Sequence, residues 1–353
     1  MAEKNLNKWQ EEMNICIRCA YCFEGCPVFQ LTKWESDSAR GKTILAYGLL
    51  TGELEPSKYI AEKLFQCTYC RDCSERCSAD VSIVDVIAAA RADLVEAGFA
   101  TDIHTGMVKN VKETGNIFGD KDIKAPVQEG SMPVFIGCQY LARPNQTKMY
   151  LKILEKLGVK PLVKDEMCCG YPLYALGFRK EFAEHRKKFL EMFPEKDIIA
   201  LCPTCAAYIH EEYGKNVKHI TQAILEHIPE KNLGLKATYH DPCDLSRVMG
   251  ITEEPRAILK KIGIEVIEMA RNRKTSHCCG GGGGILMSDV NLSDDIALVR
   301  IKQAIATGAP LLITPCPTCE QVLKKAAATV KEKGNGSITV KNLSDVVWQA
   351  LRS

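Results

Sequence analysis

Asp197-Ile198-Ile199-Ala200-Leu201-Cys202-Pro203-Thr204-Cys205 and Pro310-Leu311-Leu312-Ile313-Thr314-Pro315-Cys316-Pro317-Thr318-Cys319 decide the fold. Each is a short apolar run that reads as a buried strand, and each delivers a Cys-Pro-Thr-Cys motif. Working outward, the first stretch is preceded by a strand pattern over 132–137 ending at Cys138. A helix pattern over 146–157, a strand near 161–163, the pair Cys168-Cys169 with Gly170, and a helix over 179–193 follow. The second stretch has the same upstream order. A strand over 235–240 runs toward Cys243, then come a helix near 255–262, a strand over 264–268, Cys278-Cys279-Gly280 and a helix near 294–307. Short strands alternating with helices predict βαβ units and a parallel sheet. Ligands of open parallel sheets collect at the carboxyl ends of strands, where Cys138, Cys202, Cys243 and Cys316 are expected to lie.

The unit is therefore present twice, as Cys…Cys-Cys-Gly…Cys-Pro-Thr-Cys. The duplication extends to Val217-Lys218-His219-Ile220-Thr221-Gln222 and its counterpart Val340-Lys341-Asn342-Leu343-Ser344-Asp345, each followed by a helical pattern. Two copies make a duplicated domain rather than a solenoid.

The remaining eight of the 18 cysteines stand upstream. Cys16, Cys19, Cys22 and Cys26, followed by Pro27, have C-x2-C-x2-C-x3-C spacing, and so do Cys67, Cys70, Cys73 and Cys77. This is the bacterial ferredoxin run, whose fourth cysteine serves the other cluster because one tight loop cannot wrap a cube. The expected ligand sets are Cys16, Cys19, Cys22 and Cys77 for one cubane [4Fe–4S] cluster, and Cys67, Cys70, Cys73 and Cys26 for the other. Zinc prefers separated cysteine pairs, so the runs argue against zinc knuckles. At the ten downstream cysteines the alternatives are wider. The CPTC pairs also suit zinc, and a thioredoxin-like CxxC would explain them but not the Cys-Cys-Gly triplets. Helix patterns over 38–52 and 84–98 make residues 1–125 a helical two-cluster domain, followed by a linker over 120–132. The two repeats are expected over 132–232 and 233–353, so the fold class is α plus α/β.

Lys plus Arg is 46 and Asp plus Glu is 44, and aromatics are 7%. Neither charge nor stacking surface points to nucleic acid. The first residues contain no apolar signal region, and no stretch approaches the ~20 apolar residues of a membrane helix. A soluble, cytoplasmic protein with reduced thiols is expected, so the cysteines read as metal ligands rather than disulfides. There is no Cys-x-x-Cys-His haem site and no flavin fingerprint, so a partner must supply the other half-reaction.

Two ferredoxin runs followed by two CCG repeats resemble the D-type subunit of heterodisulfide reductase, which looks like a fusion of a small ferredoxin-like subunit with the catalytic CCG subunit. The wider family includes iron–sulfur subunits of glycolate, lactate and anaerobic glycerol-3-phosphate dehydrogenases and a sulfite-reduction-linked subunit. The resemblance implies a noncubane [4Fe–4S] cluster on Cys138, Cys168, Cys169, Cys202 and Cys205, and a second on Cys243, Cys278, Cys279, Cys316 and Cys319. It further implies that a disulfide of the CoM-S-S-CoB type is reduced between the two, with Cys169 and Cys279 at the catalytic sets. Implied partners are a small-molecule disulfide and an electron donor: a cytochrome b membrane subunit, a flavoprotein or an electron-transfer flavoprotein. Docking on such a partner would place the protein at the inner membrane face. The relatives also allow a non-catalytic relay between a flavoprotein and a quinone-linked partner.

Smaller signals lie near the second set. Gly280, Gly281 and Gly282 open a run of five glycines, bare enough for close approach to a cluster or anion. His240 and His277 are candidates to donate a proton or a hydrogen bond to sulfur, although loop-ordering histidines are common. Arg247 and Arg273, with Arg271 and Lys274, are candidates to pair with anionic groups of a substrate, against the plain reading of a solvated basic surface.

Overall fold

The computed structural model describes residues 4–353. Four longer helices organise the N-terminal part: α1 (Ala39–Thr51), α2 (Lys58–Phe65), α3 (Ile83–Glu96) and α4 (Asp102–Thr114). Ser38 caps α1 by accepting from the Gly41 N–H at 2.9 Å, and Gly52 ends it in the left-handed region at φ 80°. Helices α1 and α3 stand where the sequence patterns place them. Helices α2 and α4 are also capped by hydroxyl residues, Ser57 and Thr101. Helix α3 is apolar on nearly all sides and buries Ile83, Val84, Val86, Ile87, Ala88, Ala89, Ala90 and Ala92. A helix hydrophobic all round must be surrounded, and α3 forms the middle of this part.

Two four-stranded parallel sheets follow. The first uses β1 (Met132–Phe135), β2 (Pro161–Leu162), β3 (Asp197–Ala200) and β4 (Asn216–His219) in the order β2-β1-β3-β4. Its helices are α5 (Pro144–Lys156), α6 (Arg179–Met192), α7 (Pro203–Tyr213) and α8 (Ile220–Leu225). The second repeats the order with β5 (Leu235–Tyr239), β6 (Ile264–Val266), β7 (Leu311–Thr314) and β8 (Thr339–Asn342). Its helices are α9 (Glu253–Lys261), α10 (Val290–Ile305), α11 (Pro317–Glu332) and α12 (Leu343–Arg352). The duplicated segments after β4 and β8 both fold as capping boxes. His219 and Gln222 cap α8, and Asn342 and Asp345 cap α12.

In each sheet the chain leaves the first strand toward one edge and returns to build the other. The switch point therefore falls between β1 and β3, and between β5 and β7. A crevice opens there because the flanking connections diverge.

The segment between the helical part and the first sheet is ordered at its end. Gln128 and Val163 exchange both backbone hydrogen bonds at 3.0 Å, extending the sheet edge. The two α/β units meet through Tyr140, whose hydroxyl donates to the Pro315 carbonyl at 2.6 Å, and through Tyr150, which donates to Asn342 at 2.8 Å. Arg91 of α3 ties all three parts together. It is fully buried and donates to the carbonyls of Leu64, Phe65, Cys67, Ala175 and Gly283 at 2.8–3.2 Å. Those five bonds exhaust its N–H groups.

Candidate metal centres

The two ferredoxin runs do not close on themselves. One cavity is lined by Cys16, Cys19, Cys22 and Cys77 together with Arg18, Tyr21, Arg40 and Ser78. A second is lined by Cys26, Cys67, Cys70 and Cys73 together with Lys42, Thr68 and Arg71. The chain makes this exchange because Cys26 is followed at once by the helical turn Pro27–Thr32, which starts at Pro27 and carries the Cys26 thiol toward Asp37. The first cavity is the outer one, with Cys19 exposed. The second is the inner one, with Cys70 and Cys73 buried. Burial pushes the Cys26 thiol up to about 11, so an apo cavity holds a thiol there and metal is needed to draw out the proton. Burial also lowers the Lys42 ammonium, a shift opposed by the sulfurs of Cys26 and Cys67.

The ten downstream cysteines gather at the two switch points. Cys138 follows β1 and Cys202 follows β3; Cys243 follows β5 and Cys316 follows β7. Cys205 and Cys319 sit in the first turns of α7 and α11, where hydrogen bonds with Cys169 and Cys202 in one case and with Cys279 and Cys316 in the other, together with burial, push both thiols well up. The Cys319 N–H donates to the Cys316 sulfur at 3.4 Å. In the first set, successive thiols lie in hydrogen-bond contact along Cys138, Cys168, Cys169, Cys205 and Cys202. In the second set the string is Cys278, Cys279, Cys319 and Cys316, with Cys243 beside Cys278 and Cys279. The thiols of Cys169 and Cys279 are held below the ordinary range by hydrogen bonds, from Cys168 and Cys205 in one case and from Cys278 and Cys319 in the other. The carbonyls of the first pair are fastened: His185 donates to Cys168 O at 2.7 Å and Tyr213 to Cys169 O at 2.8 Å.

The smaller candidates are placed as follows. His240 is buried, and its Nδ1 accepts from Arg300 Nε at 3.1 Å. Because arginine only donates, a neutral His240 carries its proton on Nε2, which has no other partner. His240, Cys279 and Cys319 hold ligand atoms within 4.8 Å of one another. Both His240 and His277 are lowered by burial, His277 to about 4. His277 turns toward its own neighbour, with Nδ1 at 3.2 Å from Cys278 O.

The four basic residues are committed to the protein itself. Arg247 is buried and bonds Cys70 O at 2.7 Å, Lys274 O at 2.7 Å, Asp72 at 3.0 Å and Ser276 O. Arg271 pairs with Asp72 at 2.7 Å, Lys274 with Glu75 at 3.4 Å, and Arg273 with Glu253 at 2.6 Å. Three of the four thus clamp the second α/β unit onto the Cys70–Cys77 run, and none offers a free guanidinium to a substrate anion. The glycine run does the same work by shape. A Cβ on Gly282 would stand 2.3 Å from Thr68 O, and one on Gly283 1.9 Å from Cys67 O. Gly280 and Gly281 pack against Ser293 and Thr318 instead. Cys70 and Cys278 are left in direct thiol contact across this junction.

Sequence reasoning missed Lys42, Arg91 and Glu166. The signals were present. Lys42 falls on the apolar face of α1 with Ala39, Ala46 and Leu49, and Arg91 interrupts the run Ile87-Ala88-Ala89-Ala90. It also missed that Thr204, inside the first CPTC motif, donates to Asp244, next to Cys243, at 2.5 Å.

The donor sets fit iron–sulfur clusters. All 18 cysteines are free, and the buried ones are grouped rather than scattered. The backbone also makes room, because a Cβ on Gly137 would stand 2.8 Å from the Cys205 sulfur. The inner cavity sets a buried ammonium beside four cysteines, a charge that would offset that of an anionic cluster.

Comparison with known proteins agrees. The 4Fe-4S dicluster domain family matches residues 12–81, and the cysteine-rich domain (CCG) family matches 132–210 and 237–324. The D subunit of dihydromethanophenazine:CoB–CoM heterodisulfide reductase from Methanosarcina barkeri is 29% identical, over 99% of this chain and 96% of its own. The B subunit of fumarate reductase (CoM/CoB) from Methanothermobacter marburgensis is 28% identical, over 95% and 72%. EtfAB:quinone oxidoreductase from Syntrophomonas wolfei is 25% identical, over 97% and 59%. Among solved structures, a hypothetical protein from Helicobacter pylori shares the fold with TM-score 0.61 at 10% identity, over 99% of this chain and 72% of its own. Among the described residues no helix is long and apolar enough to cross a membrane. With a 4Fe-4S dicluster region and two cysteine-rich CCG regions that together match two thirds of its length, the chain belongs to the CCG-domain iron–sulfur proteins, and it is similar end to end to the D subunit of heterodisulfide reductase.

Proposed function

We propose that this chain is the catalytic iron–sulfur subunit of a heterodisulfide reductase-like complex. In this reading a ferredoxin-type domain to about residue 125 precedes CCG domains over 132–232 and 233–353. The observation that carries the proposal is the pairing of two complete five-cysteine sets at equivalent switch points, joined through Thr204 and Asp244. A pure relay has no need of two such sets side by side. Noncubane [4Fe–4S] clusters bound there would supply one electron and one iron site to each sulfur of a disulfide. The chain's own part is to hold and shield that disulfide. A cleft beside the Thr204–Asp244 bond is lined by Tyr69, Arg71, Tyr171, Tyr174, Glu211 and Val248. Tyrosine rings make its wall apolar, and its cation, Arg71, is already held by Glu211 at 3.0 Å, so an anionic group would have to displace that carboxylate to reach it. Cys16, Cys19, Cys22 and Cys77, and Cys26, Cys67, Cys70 and Cys73, would hold cubane clusters able to supply electrons one at a time from an electron-donor partner, which for a CoB–CoM-type reaction would be a membrane cytochrome b or a flavoprotein.

The test is to make Cys169→Ser and Cys279→Ser separately in anaerobic protein, with an artificial one-electron donor. Both variants are expected to lose nearly all disulfide reduction while the ferredoxin-type clusters stay reducible. Wild-type protein should also change its paramagnetic spectrum when the product thiol is added. A second reading has one specific support, the EtfAB:quinone oxidoreductase relative. Wild-type protein that reduces no disulfide and shows no thiol-dependent signal, yet passes electrons from a flavoprotein to a quinone-linked partner, would establish the relay instead.

A further inference from the structure

Lys42 has a cost that neither the fold nor the proposed reaction explains. It is 1% exposed on the inner face of α1 and lines the inner cavity with Cys26, Cys67, Cys70 and Cys73. Its ammonium donates to the carbonyl of Asp37, while the Asp37 carboxylate is engaged by Lys63 at 2.8 Å. Arg91, fully buried, holds Cys67 O at 2.9 Å and is otherwise bound only by carbonyls. Lys42 in the cavity wall and Arg91 behind Cys67 thus stand without a carboxylate salt bridge of their own, whereas Arg71, the other cation lining the cavity, is paired with Glu211 at 3.0 Å. The outer cavity differs. Its cations are Arg18, which is exposed to solvent, and Arg40, which is neutralised by Glu35 at 2.6 Å with its side chain 22% exposed, and Cys19 stands in solvent.

A [4Fe–4S] core with four thiolates is an anion that gains one further negative charge when it accepts an electron. Net charge, hydrogen bonding and exposure set its potential. Burial alone disfavours the added charge and would make the inner cluster the harder of the two to reduce. A buried, unneutralised cation acts in the opposite direction, and in a low dielectric it acts strongly. The two effects predict opposite orders of reduction, so the order decides between them.

We propose that Lys42, supported by Arg91, holds the inner cluster at a higher reduction potential than the outer cluster, so that an electron taken up at the exposed end settles next to the CCG units. This rests on the reading that both cavities hold cubane clusters. The transfer is a one-electron oxidation of the outer cluster and a one-electron reduction of the inner, after an external one-electron donor has reduced the outer. The inner end is the productive one, because Cys70 of that cavity touches Cys278 of the second five-cysteine set.

The experiment is a redox titration of anaerobic protein followed by electron paramagnetic resonance, on wild type, Lys42→Met and Lys42→Arg. The inner signal is identified as the one missing from Cys73→Ala. In wild type the inner signal is expected to appear at the higher potential. Lys42→Met should weaken reduction of the inner cluster at least tenfold in equilibrium constant, about 59 mV for one electron. The outer signal should stay in place, and Lys42→Arg should retain most of the wild-type potential. An outer cluster that reduces first in wild type overturns the proposal, even if Lys42→Met fails to assemble. So does a fully loaded Lys42→Met protein whose inner potential has not moved. A Cys73→Ala protein that keeps every iron signal defeats the cluster assignment itself, and the proposal with it.

Discussion

Glu166 shows how much a single side chain does at these sites. Its carboxyl is buried and accepts from Ile136 N–H at 2.9 Å and Gly137 N–H at 2.6 Å, the two residues that carry the chain from β1 into Cys138. Burial pushes it up to about 8, against the pull of those two hydrogen bonds. Glu166→Ala would leave both N–H groups unpaired, at about 1–3 kcal/mol each. We predict a loss of at least about 2 kcal/mol in denaturant unfolding of anaerobic protein, and a smaller loss for Glu166→Gln, which keeps an acceptor. An alanine variant as stable as wild type would mean that the turn is held by something else. The exchanged cysteines give a second prediction at this scale. Cys26 lines the inner cavity and Cys77 the outer. Cys26→Ala should therefore remove the signal of the Cys67-Cys70-Cys73 cluster and leave the other, with Cys77→Ala doing the reverse. Loss of the Cys16-Cys19-Cys22 signal in Cys26→Ala would contradict the exchange.

At the scale of elements, the glycine run and the helix starts do most to place the sulfurs. Gly283 sits at φ 63° with no room for a Cβ beside Cys67 O, whereas Gly308 sits at φ 73° in open space. Gly308→Ala should cost about 1 kcal/mol from backbone strain alone. Gly283→Ala should cost at least twice that and also diminish the inner cluster, because the displaced backbone carries Cys67. Equal melting temperatures for the two variants, with the inner cluster intact in both, would show that the junction is looser than it looks. The run is poorly described as a flexible loop. It is a flat backbone surface on which the ferredoxin-type run rests. The CPTC segments use a different device, in which a strand ends, proline takes the first helical position, and the second thiol lands on the N-terminal turn.

For the whole molecule, the decisive contact is between the Cys67–Cys77 run and the second α/β unit. Arg247 is its pivot, with four bonds that span Cys70, Asp72, Lys274 and Ser276. Removing one member of a buried charged network costs about 3–5 kcal/mol, because its partners stay behind unpaired. Arg247→Met should lower global stability by that order in thermal or denaturant unfolding. Arg273→Met, whose partners Glu253 and Glu268 are partly solvated, should change it by less than about 1 kcal/mol. Comparable losses in the two would show that Arg247 is not a clamp. Loading should be complete in the native chain, at about 16 iron and a similar amount of sulfide for four clusters of four irons. Stoichiometric zinc at either five-cysteine set would rule out the noncubane reading.

Spacing along the chain was enough for much of this. Cysteine intervals reveal the two ferredoxin-type runs, because reach from a tight loop limits which sulfurs can share a cube. The alternation of apolar runs and helix patterns reveals the duplicated parallel α/β units, because a strand buried on both faces must be apolar throughout. The roles of Arg247, Arg271 and Lys274 were not legible in the same way. A charged residue near a cysteine motif looks alike whether it meets a substrate, water or a carboxylate some 175–199 residues away. Likewise, the glycine run announced a close approach, but only the tertiary structure decided that the approaching group is Cys67 of the other cluster run. Local pattern determines which elements form and which atoms can bind iron. Which sets face each other, and which cations are trapped beside them, depends on packing between distant segments, and burial rather than sequence position sets the strength of a charge.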